Sequence, residues 1–110
     1  MKTEAEEMVS QLRIYTINRG MMDSWLKVFE ERIRPLHEQK GIPIEVTWVN
    51  AARTEFIWVR SFESEEVITQ KEAEYYSSPE RKALGDLPGT HIAKTEVRLV
   101  HPVLTTASVT

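Results

Sequence analysis

Five side chains are spaced so that they could do chemistry together. Arg13 and Tyr15 stand two apart in Leu12-Arg13-Ile14-Tyr15-Thr16-Ile17, Trp58 and Arg60 stand two apart in Glu55-Phe56-Ile57-Trp58-Val59-Arg60, and Arg98 follows Glu96 in the same rhythm. Alternate residues of a strand share a face, so strands would bring all five to one surface. Arginines there could hold a carboxylate, enolate or phenolate while the rings stack on a planar substrate. Paired charges and stacked rings filling an interface would use the same residues, and both readings stand.

Tyr75-Tyr76-Ser77-Ser78-Pro79-Glu80-Arg81 offers a second group. Arg81 could anchor an acidic group and a tyrosine hydroxyl could donate to a developing oxyanion; alternatively one tyrosine packs beneath a helix and Pro79 begins another. His37 falls near the end of a helix, where a cation is favoured, or it serves as acid, base or haem ligand in a pocket between helix and sheet. His91 and His101 flank the last strand and are expected to be exposed. No histidine has HExxH or two-His-one-carboxylate spacing, so no metal site is expected. The candidate pocket is thus Arg13, Tyr15, Trp58, Arg60, Arg98, His37, Tyr75 and Arg81, with no catalytic role assigned to any of them.

The elements that must position these side chains follow from periodicity. Val9 to Ile17 alternates as a strand and breaks at Asn18-Arg19-Gly20. From Met21 to about Lys40 the residues Met22, Trp25, Leu26, Phe29, Ile33 and Leu36 recur at helical intervals, Pro35 imposes a kink or restart near Arg34, and Gly41 closes the helix. Ile44 to Val49 and Glu55 to Phe62 read as an antiparallel hairpin across Asn50 to Thr54. A second helix is expected from Glu65 to Tyr76 with Ser64 as its cap, then a short one capped by Ser78 with Pro79 in its first position. Gly85 to Gly89 reads as a loop, and Ile92 to Val100 as the last strand.

This order, β-α-β-β-α-β, is the ferredoxin-like α+β arrangement, with two helices on one face of a four-stranded antiparallel sheet. Leu12, Ile14, Ile57, Val59, Val97 and Leu99 are expected to meet the helices. Arg13, Tyr15, Trp58, Arg60, Glu96 and Arg98 are expected on the other face. A face both aromatic and charged suits neither water nor a dry core. Packing against the same face of a second copy accommodates both characters, so a homodimer is expected.

Several segments together resemble a NIPSNAP domain: Leu12-Arg13-Ile14-Tyr15-Thr16, Gly20-Met21-Met22-Asp23-Ser24-Trp25, Phe29-Glu30-Glu31-Arg32-Ile33-Arg34-Pro35-Leu36, Glu55-Phe56-Ile57-Trp58-Val59-Arg60 and Tyr75-Tyr76-Ser77-Ser78-Pro79-Glu80-Arg81. Their order and spacing carry the resemblance, which runs from about Leu12 to Leu99. It implies a dimeric α/β barrel. It also implies a superfamily that includes cofactor-free monooxygenases of aromatic compounds, haem-degrading enzymes, isomerases and polyketide cyclases, among which fold alone does not choose.

Composition narrows the classes. The 110 residues suit one domain, placed at residues 9–101 with flexible ends at 1–8 and 102–110. A net charge of −3, from 14 basic and 17 acidic residues, argues against nucleic-acid binding. The absence of cysteine excludes disulfides and thiol catalysis and suits a cytoplasmic protein. The polar start offers no signal peptide, and no apolar run approaches the roughly 18 residues of a membrane span. The functional expectation is a cytoplasmic homodimer binding a hydrophobic or aromatic small molecule, with cofactor-independent oxygenase or isomerase activity as its catalytic form. No cofactor is expected, with haem at His37 as a lesser option. The competing reading is a non-catalytic protein whose barrel interior is filled by its own side chains.

Overall fold

The computed structural model describes residues 8–103, so the expected flexible ends fall almost wholly outside the described residues. Strand β1 (Val9–Ile17) leads through Gly20 into helix α1 (Met22–Val28), a π-helical turn (Phe29–Ile33) and helix α2 (Arg34–Gln39). The hairpin β2 (Ile44–Val49) and β3 (Glu55–Phe62) follows, then a 3-10 turn (Glu65–Val67), α3 (Ile68–Ser77), α4 (Pro79–Lys82), α5 (Leu87–His91) and β4 (Ile92–Val100). The sheet order is β2-β3-β1-β4 with all neighbours antiparallel, the ferredoxin-like topology.

Pro35 explains the π turn. It has no N–H to give to the carbonyl four residues back, and its ring crowds that turn, so the helix widens over Phe29–Ile33 and restarts with Pro35 in the first turn of α2. The helix then ends on Gly41 at φ +73. Ile42 N–H donates to the His37 carbonyl at 2.9 Å and Gly41 N–H to that of Glu38 at 3.2 Å, a Schellman closure. Ile42 packs with Leu36 beneath it. Two local expectations are corrected. Ser64 makes no side-chain cap, so the chain enters α3 through the 3-10 turn. The stretch expected to be a loop contains α5, because Pro88 pre-sets the first turn and Thr90 N–H bonds to the Asp86 carbonyl at 2.9 Å. Ser78 caps α4 as expected, accepting from Arg81 N–H at 3.2 Å.

The larger correction concerns the sheet faces. In β1 the buried residues are Val9, Gln11, Arg13, Tyr15 and Ile17, and in β3 they include Phe56, Trp58 and Arg60. Arg13 pairs with Trp58, Tyr15 with Phe56 and Gln11 with Arg60, so these six form the face beneath the helices. Phe29 from the π turn lies 4.8 Å from Phe56 and 5.1 Å from Trp58 between ring centroids, and Trp25 meets Tyr15 edge-on at 5.7 Å. Leu12, Ile14, Ile57 and Val59, expected under the helices, are half-buried on the open face. They share it with Trp48, which lies opposite Ile57 and is 53% exposed. In β4 the expected sidedness holds: Glu96 and Arg98 lie opposite Ile14 and Leu12, while Val97 lies opposite Arg13.

The positive φ at Gly41 yields a direct test. Gly41→Ala places a Cβ in the left-handed region, where its nearest neighbour is the flexible end of Lys71 at 3.3 Å. The backbone cost alone is expected to lower unfolding stability by about 1 kcal/mol in urea titration.

Candidate functional site

Between the helices and the buried face of β1 and β3 lies a cleft of about 300 Å³. Seven of the eight candidate pocket residues line it: Arg13, Tyr15, His37, Trp58, Arg60, Tyr75 and Arg81. Arg98 is the exception. It projects from the opposite face of β4, with a side chain 62% exposed, 3.5 Å from Glu96. The candidate surface is therefore assembled under the helices rather than on the uncovered face where the sequence reading put it. Tyr76, Ile92 and Thr95 complete one side of the cleft.

Arg60 is the centre of its polar floor. It is 1% exposed, and its guanidinium is spoken for on every edge: Nη2 donates to Glu72 Oε2 at 2.6 Å, Nε to Gln11 Oε1 at 2.8 Å, and Nη1 to His37 Nε2 at 2.9 Å. Gln11 binds the network together, donating to Glu72 at 3.0 Å while its oxygen also accepts from Arg13 Nη1 at 3.0 Å. Arg13 Nε in turn donates to the Tyr15 hydroxyl at 3.1 Å. Burial works against the Arg13 charge, yet Tyr15, Tyr76 and Glu72 outweigh it and raise the pKa above the ordinary guanidinium value. Both arginines also lie within 6 Å of the Trp58 ring, a favourable cation–π distance.

The surroundings of His37 fix its protonation state. Nδ1 is 3.0 Å from the Ile33 carbonyl, which only accepts, so Nδ1 carries the proton. Nε2 faces Arg60 Nη1, which only donates, so Nε2 offers its lone pair there. Burial pushes the His37 pKa down to about 4. The bond to Ile33 opposes this, while the charges of Arg60, Arg13 and Arg81 reinforce it. The residues do not fit a haem ligated here, because the one free lone pair of the imidazole is already held by Arg60. Tyr75, whose ring lies 4.4 Å from that of His37 between centroids and is tilted 47° to it, has its hydroxyl pushed up to about 12 by burial, with Arg81 pulling the other way. It remains a donor at neutral pH.

Two other histidines differ in fate. His91, expected to be exposed, is 3% exposed: its Nδ1 donates to the Leu87 carbonyl at 2.8 Å and its Nε2 accepts from Ser24 Oγ at 2.7 Å. The α5 helix missed in the sequence buries it. His101 is exposed beside Glu65. Among the described residues no group of three His, Asp or Glu side chains could hold a metal ion. None of the described helices is long and apolar enough to cross a membrane.

Gln11 and Glu72 are the site residues the sequence reading overlooked. Gln11 is in phase with Arg13 and Tyr15 on β1, and Glu72 lies one helical turn from Ile68 and from Tyr75 on the buried side of α3. Phase was the available signal, and polarity masked it.

The ferredoxin-like fold of this chain is that of solved NIPSNAP structures. A NIPSNAP family protein of unknown function from Agrobacterium tumefaciens str. C58 is similar over 92% of this chain and 93% of its own, at 16% identity and a TM-score of 0.83. An uncharacterized NIPSNAP-like domain protein from Burkholderia xenovorans matches over 92% and 90%, at 12% identity and a TM-score of 0.82. A putative antibiotic biosynthesis monooxygenase from Chloroflexus aurantiacus J-10-fl matches over 90% and 96%, at 15% identity and a TM-score of 0.66. At these identities the likeness establishes the fold, and the resemblance read from the sequence holds at that level. No family model and no curated protein matches the sequence itself.

The depressed His37 pKa couples folding to pH. The unfolded state binds a proton near pH 6.5 and the folded state only near 4, so the contribution of neutral His37 is complete above about pH 6.5 and is lost as pH falls toward 4. The loss is expected to reach roughly 3 kcal/mol, at about 1.4 kcal/mol per pH unit. Urea midpoints measured across this window should fall in the wild-type protein and fall less in His37→Gln, which keeps an acceptor for Arg60.

Proposed function

We propose that this protein binds a small hydrophobic or aromatic molecule in the cleft between its helices and sheet, and that it does so as a homodimer. The observation that carries the binding reading is the cleft itself. A cavity of about 300 Å³ remains open although Trp58, Tyr15, Tyr75 and Tyr76 border it, whereas a core built only for stability would have closed on these rings. Aromatic and aliphatic side chains make most of the wall and Arg13, Arg60, Arg81 and His37 converge on it, a mixed lining suited to a small molecule that carries both a ring and a polar group. The likeness to a putative antibiotic biosynthesis monooxygenase gives the reading a catalytic form. In it, Tyr75 and the arginines stabilise an enolate or phenolate, the anion on which cofactor-independent oxygenation and isomerisation both turn.

The dimer reading rests on the open face. Leu12, Ile14, Ile57, Val59 and Trp48 make an aliphatic and aromatic surface, bordered on β4 by Glu96 with Lys94 at 3.6 Å and Arg98 at 3.5 Å. A two-fold axis would let this apolar centre cover itself. The charges at its edge would remain in water.

Native mass spectrometry of protein purified from its own host is expected to detect a bound small molecule. Thr95→Trp, which fills the cleft from an exposed strand position, should lower its occupancy about tenfold; unchanged occupancy would place the ligand elsewhere. Sedimentation at micromolar concentration should give a dimer, and Ile57→Asp a folded monomer. A wild-type protein that sediments as a monomer would contradict the dimer.

A further inference from the structure

The cleft carries more positive charge than its own surroundings neutralise. Arg13, Arg60 and Arg81 all line it. Glu72 is the partner of Arg60 at 2.6 Å, and His37 beside it is neutral. Among the described residues neither Arg13 nor Arg81 forms an ion pair.

Arg81 is the more telling of the two. It leaves α4 over the rings of Tyr75 and Tyr76, at 5.8 and 5.4 Å from their centroids, and its Nε is buried without a hydrogen-bond partner. Stacking on rings places the charge but satisfies none of the N–H donors, and a buried guanidinium donor left unmade is costly. Tyr75 adds a further idle donor: its side chain is 2% exposed, lines the cleft, and its hydroxyl makes no hydrogen bond among the described residues. Arg13 spends Nε and Nη1 on Tyr15 and Gln11, and no described partner takes Nη2. Unpaired guanidinium donors and a phenol donor thus meet around one aromatic-walled space.

We infer that the ligand of this cleft is an aromatic carboxylate, its anionic head held by Arg81, Arg13 and the Tyr75 hydroxyl, its ring against Trp58. A carboxylate matches the planar fork of a guanidinium and has acceptors for several donors at once. A neutral ring would leave the buried Nε of Arg81 without an acceptor. This assignment rests on the cleft being a binding site at all, and the test separates the two.

Calorimetric titration with 2-naphthoate and with 2-naphthalenemethanol compares the same ring with and without the charge. The acid is expected to bind about tenfold tighter or better. Arg81→Gln should lose about tenfold for the acid while the alcohol stays within about twofold, and Arg81→Lys should keep part of the acid's advantage. Equal binding of the two compounds by the wild-type protein overturns the carboxylate assignment and leaves the cleft as a binding site. Binding of neither, with no small molecule retained from the host, removes the site itself. Because the wild-type comparison decides alone, it holds even where an Arg81 variant fails to fold.

Discussion

One buried positive charge organises this protein. Arg60 sits almost without solvent in the middle of β3, and a guanidinium taken from water costs several kcal/mol unless charge and hydrogen bonds replace the hydration. Glu72 supplies the charge from α3, Gln11 an acceptor from β1, and His37 another from the end of α2. Four elements distant in sequence are thereby obliged to meet at one point. The requirement explains details that would otherwise look arbitrary. His37 must present Nε2 and keep Nδ1 on the helix, and the Schellman closure at Gly41 holds its backbone in that turn.

The cleft follows from the same demand. The floor is polar because Arg60 and Arg13 need acceptors, and aromatic because Trp58 and Tyr15 alternate with them on paired strands. Phe29 and Trp25 pack the near half, so that the remaining space opens toward Tyr75, Tyr76 and Arg81. The π turn before Pro35 contributes Phe29 to that packing and leads directly into the turn that carries His37. Structure-building and site-building residues are therefore largely the same ones. Arg60 is an anchor, while Arg81 and Tyr75, with donors to spare, are better suited to a guest.

Much of this was legible in the sequence. Strand and helix order, the interruption at Pro35, the Gly41 stop and the Ser78 cap all rest on local chemistry that acts within a turn or two. Which face of β1 and β3 lies inside was not. Period-two alternation gives the partition of a strand, not its sign, and both partitions of β3 are apolar, Phe56 and Trp58 on one side, Ile57 and Val59 on the other. In β1 the buried set contains Gln11 and Arg13, which look like surface residues until Arg60 and Tyr15 are placed beside them. The size of the rings was the better guide, since Phe56, Trp58 and Phe62 keep the phase of the buried set. The network that makes this burial tolerable spans residues 11 to 72, a distance over which no single-sequence pattern operates.

The position of β4 at the edge of the sheet has a consequence for how such a protein can diversify. The anchoring network lies on the inner strands β1 and β3 and on α2 and α3, whereas Ile92 and Thr95, which close one side of the cleft, belong to an edge strand that pairs only with β1. Ile92 leans on the aromatic core, while Thr95 is exposed. Substitutions at Thr95 can recut the shape of the opening without disturbing the charged floor, so the proposed ligand site would be free to change its outline while the scaffold is kept.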